Sequence, residues 1–159
     1  MALEPFEINC PVFEDHRGCF FPVKLFGDWF QSNISISDNI FTFRGLHLQT
    51  GRHKQTKRVS VVRGSIIDFC VDLRPETFGN VFQFVLGPGQ GVFVPNYFAH
   101  GFLTLEENTL FSYKCTQYYS PENERTIYWN DETIEINWGI DLPIVSKKDT
   151  LGEKFINLY

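Results

Sequence analysis

The sequence is short of positive charge. Its 14 Lys and Arg residues stand against 19 Asp and Glu residues, which gives the 159-residue chain a net charge of −5. Proteins that bind nucleic acid rely on Lys and Arg to neutralise phosphates, so nucleic acid is not an expected partner. A small anionic ligand is compatible with this charge, because a few convergent basic side chains are enough to hold one in a pocket.

Long apolar runs and closely spaced cysteines are also missing. No stretch reaches the roughly 18 apolar residues of a membrane-spanning helix, and acidic residues occupy the N-terminus where a secretory signal would be basic. The cysteines are too far apart for a zinc site or a redox pair, and we interpret them as reduced thiols. They are Cys10, Cys19, Cys70 and Cys115. These absences predict a cytoplasmic protein without a membrane segment.

Helical periodicity is weak along the whole chain, and no repeat, linker or low-complexity tract divides it. Short β-rich runs alternate with turn residues at close intervals, as in antiparallel sandwiches and barrels. The turn signals are Arg63-Gly64, Arg74-Pro75, Gly87-Pro88-Gly89, Pro95-Asn96 and Pro121-Glu122-Asn123. The pattern predicts a single all-β domain over residues 1–159, with antiparallel strands and short helical turns.

Alternation within two of these runs indicates which side chains point inward. Lys57 has the same parity as Val59 and Val61, so a lysine is aimed at the core. By the same argument, Tyr113 lies on the apolar face of the run Phe111–Thr116. Each residue also has an ordinary explanation. A lysine can extend along its alkyl stem to water, and a buried tyrosine often only packs and hydrogen-bonds.

The run Ile66–Leu73 alternates as well, but its orientation is ambiguous. Asp68 and Cys70 share one face, whereas Phe69 and Val71 share the other. Because both faces carry apolar side chains, parity does not decide which of them faces the interior.

A polar cluster occurs in the segment Phe43–Gln49. Arg44 offers a planar group of five donors that suits a diphosphate, and His47 is of the residue type most often used for acid–base chemistry. Arg44 and His47 are three residues apart, so a regular strand would direct their side chains to opposite faces. Gly45 allows a backbone bulge, which would let both side chains reach one cavity. Lys57 follows ten residues after His47, and its ammonium group could stabilise an oxyanion. The alternative explanation is an ordinary polar strand edge.

Segments along almost the whole chain resemble, in the same order, those of the dTDP-4-dehydrorhamnose 3,5-epimerase family. They are Phe13-Glu14-Asp15-His16-Arg17-Gly18-Cys19-Phe20, Asn33-Ile34-Ser35-Ile36-Ser37, Arg44-Gly45-Leu46-His47-Leu48-Gln49, Gln55-Thr56-Lys57, Val71-Asp72-Leu73-Arg74, Thr77-Phe78-Gly79, Ala99-His100-Gly101-Phe102, Tyr113-Lys114, Tyr118-Tyr119-Ser120-Pro121, Trp129-Asn130-Asp131 and Ser146-Lys147-Lys148-Asp149. The resemblance implies a cupin-type jelly roll. It also implies inversion at C3, C5 or both of a dTDP-4-keto-6-deoxyhexose in deoxysugar biosynthesis, of which rhamnose biosynthesis is an example.

The resemblance further implies roles for individual residues. His47 matches the family's catalytic base, and Asp149 matches the carboxylate that hydrogen-bonds it. Tyr113 matches the general acid on the opposite face of the sugar, and Lys57 matches the contact to the keto oxygen. Arg44, His100 and Lys148 fall on positions around the sugar and the diphosphate, Gln31, Asn33, Tyr118 and Tyr119 on positions near the nucleotide, and Arg17 and Phe20 on a segment that reaches the neighbouring subunit's site.

The implied reaction consists of proton transfers alone, so no cofactor is expected. Metal-binding barrels of this type use two closely spaced histidines, a nearby carboxylate and a later histidine. His47, His53 and His100 lack that spacing, so no metal is expected either. The expected partners are a nucleotide-diphosphate sugar and, by analogy with the family, a second copy in a homodimer with exchanged N-terminal strands.

Some features depart from the family pattern. The chain is shorter, mainly at its N-terminus and between Phe20 and Gln31, and Tyr97 and Pro22 stand where a glycine and an acidic residue are common. We expect these changes to affect recognition of the base and the sugar rather than proton transfer. The alternatives left open are epimerisation at one carbon only, a 3,4-ketoisomerase, a metal-dependent oxygenase and a non-catalytic module that binds sugar nucleotides.

Overall fold

The structure, a computed structural model, describes residues 3–9, 13–15, 18–20, 28–134 and 136–158, with segments 13–15 and 18–20 described by their backbone only. Its strands are β1 (Phe6–Asn9), β2 (Phe13–Asp15), β3 (Gly18–Phe20), β4 (Gln31–Ser37), β5 (Thr42–Gln49), β6 (Lys57–Arg63), β7 (Ile66–Asp72), β8 (Val81–Leu86), β9 (Gln90–Val94), β10 (Phe98–Thr104), β11 (Thr109–Cys115), β12 (Glu124–Thr126) and β13 (Ile144–Val145). The helical segments are α1 (Lys147–Thr150) and 3-10 turns at Gly51–His53, Pro75–Thr77, Pro121–Asn123 and Phe155–Leu158.

Most of these strands form two sheets. The five-stranded sheet has the order β1-β9-β6-β11-β4, and the six-stranded sheet has the order β12-β5-β10-β7-β8 with β13 beside β5. The β13 strand runs parallel to β5, whereas the other neighbours are antiparallel. The two sheets face each other across a shared core, as in a jelly roll. The prediction of an antiparallel all-β fold is confirmed.

The main core lies between the two sheets. Val59 and Val61 of β6 and Phe111 of β11 enter it from the five-stranded sheet, and Ile66 of β7 and Phe102 of β10 enter it from the six-stranded sheet. All of these side chains are buried. Because they interdigitate from both sides, the polar groups that share their parity are also directed between the sheets.

A second core covers the outer face of the six-stranded sheet. Phe69 and Val71 of β7 pack there with Trp138 from the chain that follows β12, and the Phe69 and Trp138 ring centroids are 4.8 Å apart. Asp68 and Cys70 therefore face the space between the sheets. The sequence left this orientation open because both faces of β7 are buried.

A bulge in β5 turns Arg44 and His47 towards the same space. His47 lies opposite His100 and Arg44 lies opposite Phe102, so β5 advances three residues while β10 advances two. Gly45 lies within this bulge with a φ of 141°, and a Cβ there would be 2.5 Å from a Cα atom of β10. The position therefore requires glycine, and the predicted bulge is confirmed.

The N-terminal strands β2 and β3 form a small sheet of their own. In the part of the chain that the structure describes, this hairpin pairs with no other strand. By contrast, β4 is the edge of the five-stranded sheet and is apolar on its outer side, where Phe30, Ile34 and Ile36 are 53%, 70% and 56% exposed.

Cys70 and Cys115, the cysteines whose side chains are described, are free and buried, as predicted for reduced thiols. None of the helices within the described ranges is long and apolar enough to cross a membrane.

Candidate active site

Two adjoining cavities open between the sheets, with volumes of about 680 and 360 Å³. The side chains that line both cavities, and so mark their junction, are His47, Lys57, Tyr113 and Lys148. Of the other predicted site residues, Arg44, His100 and Asp149 line the larger cavity. Gln31, Asn33 and Tyr119 line the smaller one.

His47 is paired with a carboxylate from the far end of the chain. Its Nε2 lies 2.6 Å from Oδ1 of Asp149, and the ring is 28% exposed. Ser146 caps α1 by accepting a hydrogen bond from the backbone N–H of Asp149, which fixes the position of this residue. Burial alone would raise the pKa of Asp149, but the hydrogen bond from His47 holds it below its ordinary value. The carboxylate is thus ionised and orients the imidazole.

A second histidine–carboxylate pair lies beside the first. The Nε2 atom of His100 is 2.8 Å from Oδ2 of Asp68, and both side chains are buried. His100 lies directly opposite His47 on the neighbouring strand. Asp68 was not among the predicted site residues. The alternation of β7 places Asp68 on the same face as Cys70. The second core covers the opposite face of β7, which shows that the face with Asp68 borders the cavity.

Lys57 begins β6 and reaches the junction of the cavities, as the alternation predicted. Its Nζ lies 3.5 Å from the backbone oxygen of His47. Burial lowers the pKa of Lys57, and nearby acidic groups, first among them Cys115, oppose this only in part. The ammonium group therefore faces a region with little water, where one cation stabilises a negative charge strongly.

Tyr113 lies across the cavity from His47. Tyr113 belongs to β11 of the five-stranded sheet and His47 to β5 of the six-stranded sheet, and these sheets form opposite walls. Burial raises the pKa of Tyr113 above its ordinary value, and Cys115 raises it further. The phenol therefore stays protonated at neutral pH and is available as a proton donor.

Basic side chains reach the cavities from two other directions. Arg44 is held against β4, where its guanidinium donates to the hydroxyl of Ser37 at 3.3 Å and to the carbonyl of Ile36 at 3.2 Å. Lys148 of α1 donates to Oε2 of Glu124 at 2.5 Å. Arg44 can therefore attract an anionic ligand to the larger cavity, whereas the charge of Lys148 at the junction is partly neutralised by Glu124.

Glu124 is a second site residue that sequence reasoning missed. Its Oε2 accepts hydrogen bonds from Lys148 and from the hydroxyl of Tyr119 at 2.8 Å. Burial would raise the pKa of Glu124, but these two donors hold it below its ordinary value. It lies between two of the matched segments and in a strand of three residues, which is too short for alternation to indicate its orientation.

The residues predicted near the nucleotide are only partly brought together. The side-chain amide of Gln31 donates to Asn33 Oδ1 at 2.9 Å and accepts from the backbone N–H of Tyr119 at 2.8 Å, and all three residues line the smaller cavity. Tyr118 lines neither cavity. Its exposed ring packs edge-on against Phe30, with centroids 6.1 Å apart.

Several other predicted positions lie elsewhere. Arg17 and Pro22 are outside the described residues, and Phe20 is described only by the backbone of β3. Tyr97 lines neither cavity: Arg74 lies 4.8 Å above its ring, and its hydroxyl donates to the backbone oxygen of Leu3. The Tyr97 side chain thus anchors the N-terminal segment instead of contacting the site.

No group of three or more His, Cys, Asp and Glu side chains in the described segments is arranged to hold a metal ion. His53 lies in the 3-10 turn Gly51–His53 and lines neither cavity, so it is not brought together with His47 and His100.

Known proteins share this fold and much of this sequence. The model of the dTDP-4-dehydrorhamnose 3,5-epimerase family matches residues 3–157. The dTDP-4-dehydrorhamnose 3,5-epimerase of Salmonella typhimurium is 41% identical over 94% of this chain and 86% of its own length.

Solved structures agree with this assignment. The dTDP-4-dehydrorhamnose 3,5-epimerase of Bacillus anthracis with TDP and PPi bound has a TM-score of 0.88 and 33% identity, over 94% of this chain and 93% of that one. The dTDP-6-deoxy-D-glucose-3,5-epimerase of Legionella pneumophila in complex with dTDP-4-keto-L-rhamnose has a TM-score of 0.87 and 31% identity, over 96% and 88%. The chain therefore belongs to the dTDP-4-dehydrorhamnose 3,5-epimerase family and has its cupin-type jelly-roll fold.

Proposed function

We propose that this protein is an isomerase that inverts C3 and C5 of a dTDP-4-keto-6-deoxyhexose, in a pathway that makes deoxysugars such as rhamnose. One observation carries the proposal: His47 paired with Asp149, Lys57 and Tyr113 all line one cavity in a member of this family. In such a substrate the C4 carbonyl acidifies the protons at C3 and C5. Inversion then requires only removal of a proton on one face and its return on the other.

His47 is the base in this proposal. Its ring is oriented by an ionised Asp149 and is open enough to reach a substrate. Proton removal by a well-placed base typically contributes about 10²–10⁴-fold to the rate. The same base serves both carbons, since C3 and C5 flank the carbonyl.

Lys57 stabilises the enolate that proton removal creates. The negative charge develops on the C4 oxygen, and an ammonium group at the junction of the cavities would bind that oxygen more tightly as the charge grows. Tyr113 then returns a proton from the opposite wall, because its protonated phenol faces the other side of the ring.

The nucleotide part of the substrate would extend into the smaller cavity. Arg44 and Lys148 supply positive charge for the diphosphate, and Gln31, Asn33 and Tyr119 offer polar and aromatic contacts for the nucleoside. His100 faces the sugar from the same wall as His47. The relatives from Bacillus anthracis and Legionella pneumophila hold TDP and a dTDP sugar, respectively, which supports this choice of nucleotide.

The test is to incubate the protein with dTDP-4-keto-6-deoxyglucose in D₂O and to follow the sugar by NMR. Deuterium at both C3 and C5 with inversion is the expected result. Deuterium at one carbon only indicates a mono-epimerase, and a 3-keto product indicates a ketoisomerase. Binding without any exchange indicates a non-catalytic module and contradicts the proposal.

We also propose that the protein is a homodimer in which the N-terminal hairpin of each copy docks on the other. The hairpin β2–β3 is a two-stranded sheet, a structure that is marginal alone in water. The edge strand β4 offers unpaired backbone groups and exposed Ile34 and Ile36 at the rim of the larger cavity. Docking there would bring Arg17 and Phe20 close to the partner's site.

Sedimentation velocity at micromolar concentration tests this arrangement, and a dimer is expected. Ile34→Lys should shift the protein towards monomer and lower its activity, whereas Ile156→Lys, at an exposed apolar residue on the C-terminal turn, should leave the dimer intact. A monomeric wild-type protein with full activity contradicts the proposal.

Reduced thiols and a nucleotide-sugar substrate favour the cytoplasm as the compartment.

A further inference from the structure

Ser35 has a buried hydroxyl that none of the described residues satisfies. Its Oγ is inaccessible to solvent, and no hydrogen-bond partner for it exists among the described residues. A buried polar atom without a partner destabilises a fold, and such atoms are rare in native proteins. Trp29 and His53 also carry buried nitrogen atoms without partners, but they line neither cavity. Ser35, by contrast, lines the larger cavity.

The position of Ser35 places its hydroxyl among the groups assigned to the sugar. Ser35 lies opposite Phe111 in the pairing of β4 with β11, and Tyr113 lies two residues further along the same face of β11. The next two residues of β4 hold the guanidinium of Arg44 through the Ile36 carbonyl and the Ser37 hydroxyl. The unsatisfied hydroxyl thus lies between the acid and a cation that line the same cavity.

The substrate class offers a partner for this hydroxyl. A nucleotide-linked 4-keto-6-deoxyhexose carries its diphosphate at C1, a ketone at C4, the ring oxygen at C5 and a methyl group at C6. Its free hydroxyls are therefore those at C2 and C3. A serine hydroxyl can donate to such a group and accept from it, which would satisfy both partners at once.

We propose that Ser35 is a positioning residue, whose hydroxyl bonds a hydroxyl of the sugar ring and fixes the ring between His47 and Tyr113. The proposal rests on the proposed function. It explains why β4 keeps a buried hydroxyl that the ligand-free protein does not use: the hydroxyl becomes satisfied when the sugar binds. It also predicts that the site selects sugars by the presence of that ring hydroxyl.

Stability and activity should respond to Ser35→Ala in opposite ways. Because the hydroxyl has no partner among the residues that the structure describes, its removal should leave the melting temperature unchanged or raise it. With the full substrate, kcat/KM should fall on the order of tenfold, as for the loss of one hydrogen bond to a bound ligand. Ser32→Ala is the matched control, since Ser32 lies on the same strand, is exposed and lines neither cavity.

Deoxy substrates distinguish a sugar contact from a general structural role. Wild type and Ser35→Ala are compared on the full substrate and on its 2-deoxy and 3-deoxy analogues, with exchange followed in D₂O. The tenfold difference should disappear with one analogue, which identifies the hydroxyl. An equal difference with all three sugars, or no difference with the full substrate, overturns the inference. Absence of exchange in wild type would instead overturn the proposed function.

Discussion

The two walls of the cavity carry different kinds of groups. On the wall formed by the six-stranded sheet, His47 and His100 are each hydrogen-bonded to a carboxylate, at 2.6 and 2.8 Å. On the opposite wall, Lys57 and Tyr113 have no carboxylate bonded to them in the segments that the structure describes. One wall therefore pairs its titratable groups with carboxylates, whereas the other buries them without a bonded carboxylate.

In the proposed mechanism, this difference determines which wall accepts a proton and which provides one. A carboxylate beside an imidazole stabilises the imidazolium that forms when the ring takes a proton. Burial without a bonded carboxylate raises the pKa of Tyr113, so the phenol keeps its proton at neutral pH and, in the proposed mechanism, gives it to the enolate. It also lowers the pKa of Lys57, the poorly solvated cation that is proposed to contact the keto oxygen.

The largest expected effect comes from removing the base. His47→Asn should lower kcat by about 10²–10⁴-fold, because His47 is the group that the proposed mechanism uses to take the proton. His100→Asn, on the same wall and also bonded to a carboxylate, should cost only about tenfold through weaker sugar binding. Steady-state kinetics of the two variants make the comparison. Equal losses would mean that the two histidines share the role of base.

A smaller effect is expected in the alkaline pH dependence of kcat/KM. Lys57 must be protonated to stabilise the enolate, and burial lowers its pKa, so activity should fall as the pH rises through this lowered value. The raised pKa of Tyr113 places loss of the phenol proton at higher pH. Lys57→Arg keeps its charge throughout, so its alkaline decline should move to higher pH. Identical declines in variant and wild type would remove Lys57 from this role.

The two carboxylates should differ in their contributions to stability. Asp68→Asn should lower the free energy of unfolding by about 1–3 kcal/mol, because its partner His100 is buried and cannot turn to water. Asp149→Asn should cost less, since the ring of His47 is partly exposed and water can replace the lost bond. Urea denaturation of both variants measures the difference. A larger loss of stability in Asp149→Asn than in Asp68→Asn would show that the exposure of the histidine does not determine the cost of losing its carboxylate.

The smallest effect concerns acid stability. The pKa of Asp149 is lower in the folded protein than in the unfolded chain, where it is about 3.9. The stabilisation from this carboxylate is therefore complete above the unfolded value and is lost as the pH falls through the folded one. Asp149→Asn should show a shallower decline in melting temperature between pH 6 and pH 3. Parallel declines would mean that other carboxylates, such as Glu124 and Asp131, carry the whole effect.

Much of the strand structure could be predicted because alternation is a local property. The inward orientation of Lys57 and Tyr113 and the bulge at Gly45 needed only the neighbours of each residue. The orientation of Asp68 could not be predicted, since it depends on a second core built by residues far along the chain.

Contacts between residues that are far apart in the chain could not be predicted from sequence patterns either. The bond between His47 and Asp149 joins residues 102 positions apart, and only the family resemblance anticipated it. Glu124 was missed because its strand is too short to show alternation. The unsatisfied state of Ser35 is a property of its surroundings, which no pattern in the sequence reports.

The most direct test of the two-wall account separates deuterium exchange from inversion. The substrate is incubated in D₂O with Tyr113→Phe or His47→Asn, and NMR reports both deuterium content and configuration at C3 and C5. With Tyr113→Phe, His47 should still remove the proton, exchange it for deuterium from D₂O and return the deuterium to the same face, which gives exchange without inversion. With His47→Asn, exchange and inversion should both be lost. Exchange that survives in His47→Asn and disappears in Tyr113→Phe would contradict the account, because the base would then lie on the other wall.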